Sequence, residues 1–105
     1  MQTPVNTREE LFKLIQLNSK SILACGVLRI GVFGSFARDE ATKTSDVDFM
    51  IEFDPGKANL KNLVDLGDLL ESITLRKVEL VSPQSLSKYI GPYIMKEVQY
   101  VSLAA

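Results

Sequence analysis

Residues 47–53 read Val-Asp-Phe-Met-Ile-Glu-Phe, and this alternation constrains the fold more than any other segment of the chain. Strand side chains point alternately to opposite faces, so Val47, Phe49, Ile51 and Phe53 share one face while Asp48, Met50 and Glu52 share the other. The first face demands a core. The second opens on carboxylates, because Asp46 precedes the run and projects the same way as Asp48, roughly 7 Å from it by the rise per residue. Two readings stand at this point. Alternation routinely produces a wet face on a half-exposed sheet. Alternatively, a divalent cation between the acids removes their repulsion, and Mg²⁺ typically takes one or two carboxylates plus phosphate oxygens of a substrate.

The elements around this strand suggest a small sheet with helices packed on it. Thr7 and Glu10 have capping-box spacing, and Leu11, Leu14, Ile15, Asn18 and Ile22 continue a helical stripe, which predicts a first helix from about Thr7 to Ser21. Val27–Phe33 is rich in β-branched residues, ends at Gly34 and reads as a buried strand, with Gly31 marking a close backbone approach. Ser35 to Arg38 reads as the first turn of a short helix, and Asp54-Pro55-Gly56 as a turn closing the second strand.

Leu60, Leu63, Val64, Gly67 and Leu70 predict a helix from about Asn59 to Ser72, with Lys57, Lys61 and Asp65 on a solvated face. A third strand follows at Lys77 to Val81. Ser82-Pro83 then reads as a helix start, and Gly91-Pro92 opens a second short helix reaching about Tyr100. This order predicts an α+β fold with a small mixed sheet, in one domain over 105 residues.

Composition limits the chemistry. There is no histidine, which excludes serine-type triads, Cys-His pairs and histidine metal ligands. The one cysteine, Cys25, forms no intrachain disulfide and, among Ile22, Leu23, Ala24 and Val27, reads as an inert thiol. A net charge of -1 argues against electrostatic binding to nucleic acid. The N-terminus carries Arg8, Glu9 and Glu10 before any apolar run, and no stretch has the ~20 apolar residues of a membrane span, so the expected address is the cytoplasm.

Two further features bear on the carboxylates. Gly34-Ser35 follows a strand and opens a predicted helical turn. There, free amides and the Ser35 hydroxyl would receive a phosphate, although a plain strand-to-helix turn with a serine cap accounts for the same residues. Glu79 is the acid of the third strand, between Val78 and Leu80. It is either an exposed edge-strand acid or the third member of a cluster able to hold two metal ions ~3.5–4 Å apart.

Gly34-Ser35, ten residues and then Asp46-Val47-Asp48 resembles the signature of the nucleotidyltransferase superfamily shared with DNA polymerase beta. The fuller GSFAR…SDVDFMIEF followed by RKVELVSPQSL resembles its smallest branch, the minimal nucleotidyltransferases or MNT antitoxins, over about Val27 to Val101. The resemblance implies transfer of a nucleotidyl group from a Mg²⁺-bound triphosphate, ATP in this branch, to a hydroxyl, with release of pyrophosphate. Gly34 and Ser35 would grip the triphosphate. Asp46 and Asp48 would ligate metal, with Glu79 standing where the family usually has a third aspartate that binds metal and deprotonates the acceptor. Arg38, in the G-S-x-A-R pattern, would contact phosphate or pair with a carboxylate such as Asp46. Glutamate is one methylene longer than aspartate, so either the pocket accommodates it or catalysis is weakened.

Larger relatives carry an extra domain for the acceptor, and the resemblance therefore implies that a partner supplies that surface. The expected partner is a HEPN-domain RNase toxin, bound as a hetero-oligomer and silenced by AMP on a tyrosine hydroxyl. The alternative is an antitoxin that neutralises by contact alone. For Tyr89, Ile90, Tyr93, Ile94, Val98 and Tyr100, both packing of two short helices into the core and an interface are open.

Overall fold

A computed structural model describes residues 3–103. The order is α1 (Arg8–Leu17), α2 (Ser19–Ala24), β1 (Val27–Phe33), β2 (Val47–Phe53), α3 (Leu60–Thr74), β3 (Val78–Val81), a 3-10 turn (Pro83–Ser85), α4 (Gly91–Glu97) and β4 (Gln99–Val101). The four strands form a mixed sheet in the order β3-β2-β1-β4, with β2 and β3 parallel and the other pairs antiparallel. The expected α+β class and mixed sheet are thus present.

β1 and β2 have the expected bounds. Val47, Phe49 and Ile51 are buried on the helix-covered side with Ile30 and Val32, against Leu11, Ile15, Ile22, Leu66 and Leu70. Burying such apolar surface is what holds helices to the sheet, at roughly 25 cal/mol per Å². Gly31 is a close approach as expected: a Cβ there would lie 2.6 Å from Val98 Cγ1. Met50, its cross-strand partner, is fully buried although it shares a face with Asp48 and Glu52. Farther along that face, Glu52 accepts hydrogen bonds from Arg29 Nε (3.0 Å) and Tyr100 Oη (3.2 Å), tying β1, β2 and β4 together.

Six expectations are corrected. The first helix breaks at Asn18, whose side chain donates to the Leu14 carbonyl while Ser19 Oγ donates to that of Gln16, competing with the backbone ladder. The residues after Ser35 form successive turns and no α-helix. In α3 the buried stripe is Leu66, Leu70 and Thr74, while Leu60, Leu63 and Val64 are exposed, because the stripe runs in a different phase from the one expected. Ser82-Pro83 opens only a 3-10 turn. The last short helix stops at Glu97, and Gln99–Val101 pairs with β1 as an edge strand. Exposure of Tyr89, Ile90 and Tyr93 also overturns their packing into the core.

Candidate active site

Asp46 and Asp48 sit at the start of β2, where the chain leaves the 39–45 loop. The antiparallel register pairs Phe33 with Asp48, so Gly34 emerges from β1 directly beside the Asp48 carboxylate. A Cβ at Gly34 would overlap Asp48 Oδ2, and Gly34 has a φ of 74°, in the left-handed region. Glycine is therefore required twice, by backbone conformation and by contact. The following turn is closed by Arg38 N–H to the Gly34 carbonyl (3.2 Å) and Glu40 N–H to that of Ser35 (2.8 Å). The amides of Ser35, Phe36 and Ala37 donate to no acceptor among the described residues. The amides expected here to be free are free, in a turn and without a helix dipole behind them.

The parallel register of β2 and β3 sets Glu79 beside Asp48. Burial, the hydrogen bond with Glu79, the charge of Glu79 and then those of Asp46 and Glu97 push the Asp48 carboxyl from 3.8 up to about 6. Such crowding of acids favours a shared proton or a cation. Among the described residues no three His, Cys, Asp or Glu side chains are spaced to hold a metal ion unaided. What the strands bring together is the pair Asp48 and Glu79, with Asp46 exposed and acting on Asp48 through its charge. Hard carboxylate oxygens suit Mg²⁺, which completes its shell with water and phosphate oxygens, so this donor set fits a cation that arrives with a triphosphate.

Arg38 points to other acids than Asp46. Its Nε donates to Glu40 Oε1 (2.7 Å) and its Nη1 to Glu97 Oε1, and the side chain is about half exposed. Glu97, at the end of α4, is the residue that sequence reasoning missed: it lies far along the chain with no local motif, and only the return into β4 brings it to Arg38 and Asp48. Cys25 is half-buried, and burial, then the charge of Asp65, raises its pKa, keeping the thiol protonated and unreactive.

The site is open. A cleft of about 610 Å³ lies at the far ends of β2 and β3, lined by Phe53, Leu60, Leu63, Leu80, Gln84 and Ser85 among others, and none of Asp46, Asp48 or Glu79 contributes to it. Both Asp46 and Glu79 are exposed. No helix among the described residues is long and apolar enough to cross a membrane.

Comparison with known proteins shows which family the chain belongs to. The family model for a nucleotidyltransferase domain matches residues 10–101. The chain is 36% identical over 96 residues to the protein adenylyltransferase MntA of Thermococcus cleftensis, covering 90% of this chain and 96% of the relative. It is 34% identical over 87 residues to a candidate protein adenylyltransferase of Methanocaldococcus jannaschii, MJ1215, covering 82% of this chain and 100% of that protein. Among solved structures it resembles a candidate minimal nucleotidyltransferase with a TM-score of 0.68 and 27% identity, over 84% of this chain and 93% of the other. A toxin-antitoxin structure with AMP-PNP shares the fold, with a TM-score of 0.60 at 19% identity over 84% of this chain and 73% of the other. The chain belongs to the nucleotidyltransferase domain family, and its relatives place it with the minimal nucleotidyltransferases as an enzyme of that class.

Proposed function

We propose that this nucleotidyltransferase is a Mg²⁺-dependent protein adenylyltransferase, a single catalytic domain that transfers AMP from ATP to a tyrosine hydroxyl of a HEPN-type RNase toxin and so acts as its antitoxin. The observation that carries the reading is Asp48, paired with Glu79 across the β2–β3 register and standing against Gly34, beside amides that are free to bind an anion. The MntA relative bears the name protein adenylyltransferase, and toxin-antitoxin structures share the fold. The openness of the site suits an acceptor presented by another protein better than an enclosed small molecule.

In this reading the amides of Ser35, Phe36 and Ala37 and the Ser35 hydroxyl bind the triphosphate, and Arg38 exchanges a carboxylate for a phosphate oxygen. Asp46 and Asp48 would hold the cation, with Glu79 beside Asp48 across the β2–β3 register. When bound, Mg²⁺ neutralises charge on the phosphates and favours departure of pyrophosphate. The acceptor oxygen forms a bond to the α-phosphorus as the bond to the β-phosphate bridging oxygen breaks. Glu79 takes the hydroxyl proton, the role that falls to a carboxylate in a chain without histidine. The availability of ATP makes the cytoplasm the expected setting.

Intact-mass analysis tests this: incubation of the toxin with the protein, ATP and Mg²⁺ is expected to add whole AMP units to it. An unchanged toxin mass contradicts the reading.

A second reading, neutralisation by contact alone, is favoured by one observation. Tyr89, Ile90 and Tyr93, at 77%, 54% and 74% exposure, crowd the approach to α4 and its first turn. Replacing both Asp46 and Asp48 by alanine separates the two. Neutralisation that survives in folded protein supports binding, and neutralisation that is lost supports catalysis.

A further inference from the structure

Arg76 lies in the short link between α3 and β3, just after Leu75 turns the chain through a φ of 55°. Its Nε donates to the Val5 carbonyl (2.7 Å), and its Nη1 to the carbonyls of Thr42 (2.7 Å) and Ser45 (2.9 Å). Its Nη2 donates to Asn6 Oδ1 (3.1 Å). The guanidinium lies 5.1 Å from the centroid of the Phe36 ring, which is buried one residue beyond Ser35. Among the described residues it has no carboxylate partner. A charged fork committed to carbonyls from separate segments fixes backbone, and a lysine, with one nitrogen, does not reproduce it.

The segments it fixes are those that lead to the site. Thr42 and Ser45 belong to the loop that delivers Asp46, and on the other side of Asp46 the Val47 N–H donates to the Lys77 carbonyl (2.9 Å). Asp46 is thus bracketed by bonds to residues 76 and 77. Its own exposed side chain accepts no hydrogen bond from the described residues, so its placement depends on the backbone. Through Phe36 the same guanidinium touches the turn that carries Ser35.

We propose that Arg76 is a positioning residue for nucleotidyl transfer: it fastens the 42–45 loop and, by stacking on Phe36, sets Asp46 at a fixed place relative to the Ser35 turn. The inference rests on the roles proposed above for Asp46 and Ser35. Side chains that orient metal ligands typically matter by 10–100-fold in activity or affinity, and the substitution Arg76→Lys, which keeps the charge and loses the fork, is expected to fall in that range.

The experiment compares wild type, Arg76→Lys and Arg76→Ala in hydrogen exchange of the 42–47 amides, in thermal midpoint, and in kcat and KM for ATP with Mg²⁺. Arg76→Lys is expected to stay folded, to exchange these amides about tenfold faster, and to lose kcat by roughly 10–100-fold with KM for ATP changed about threefold or less. Ethylguanidinium is expected to restore part of the kcat of Arg76→Ala. A folded Arg76→Lys with wild-type kcat, or with a lowered midpoint and unchanged kcat, overturns the proposal. Should wild-type protein transfer nothing to the toxin, the proposed function falls separately. The exchange arm then still decides, since unchanged protection at 42–47 in Arg76→Lys overturns the positioning role and accelerated exchange confined to that loop supports it.

Discussion

Asp48 and Glu79 face each other across the parallel register of β2 and β3, and burial together with this acidic neighbour raises the Asp48 carboxyl to about 6. A carboxyl whose folded pKa lies above its unfolded value binds more protons in the folded state. Its contribution to stability is therefore complete below about pH 4 and is lost as the pH rises through about 6. In EDTA, Asp48→Asn removes this loss. The difference in thermal midpoint, variant minus wild type, is expected to grow from pH 4 to pH 7 in the variant's favour, and a difference that is flat across this window contradicts the crowding of acids described here.

Gly34→Ala tests the approach of the first turn to β2. The left-handed backbone costs a residue with a Cβ about 1–2 kcal/mol, and the added methyl displaces the Asp48 carboxylate against which Gly34 lies. Denaturant unfolding is expected to show that loss of stability. Transfer activity is expected to fall by about 100-fold or more, since misplacement by an ångström is worth that much.

Glu79→Gln keeps the length of the side chain and removes its basicity. Binding of Mg²⁺ and ATP is expected to persist while kcat drops by roughly 10²–10⁴, the usual weight of a general base. A variant with undiminished kcat would remove Glu79 from proton transfer.

Gly31→Ala probes packing away from the acids. A Cβ 2.6 Å from Val98 Cγ1 and 3.1 Å from the Tyr100 ring overpacks the junction of β1 and β4, at an expected cost of about 1–3 kcal/mol in equilibrium unfolding.

What could be read from the sequence, and what could not, follows from the range of the interactions involved. The bounds of β2 were legible because a period of two with one apolar face specifies both strand and face, and those of β1 because a β-branched run ends at Gly34. The starts of α1 and α3 lie where expected, with the side chains of Thr7 and Asn59 accepting hydrogen bonds from the amides of Glu10 and Asn62. The break at Asn18 was hidden because Ile22 continues the apolar stripe past it. β4 was missed because Gly91-Pro92 announces a helix, and three residues of strand gain their identity from pairing with β1, a contact made across the whole chain. The same distance concealed Glu97 and Arg76, whose partners lie 59 and up to 71 residues away. Asp46, Asp48 and Gly34-Ser35 were visible as a spaced pattern, but the pairing of Asp48 with Glu79 depends on the parallel register of β3, which no local signal fixes.

Calorimetric titration of the protein with ATP in the presence of Mg²⁺, repeated with Asp46→Asn/Asp48→Asn, tests most directly whether the acids and the Gly34-Ser35 turn form a triphosphate site. The account predicts uptake by wild-type protein that requires Mg²⁺ and weakens by roughly 10–100-fold or more in the doubly substituted protein, with its fold intact. Absence of uptake by wild type, or equal uptake by both, would contradict it.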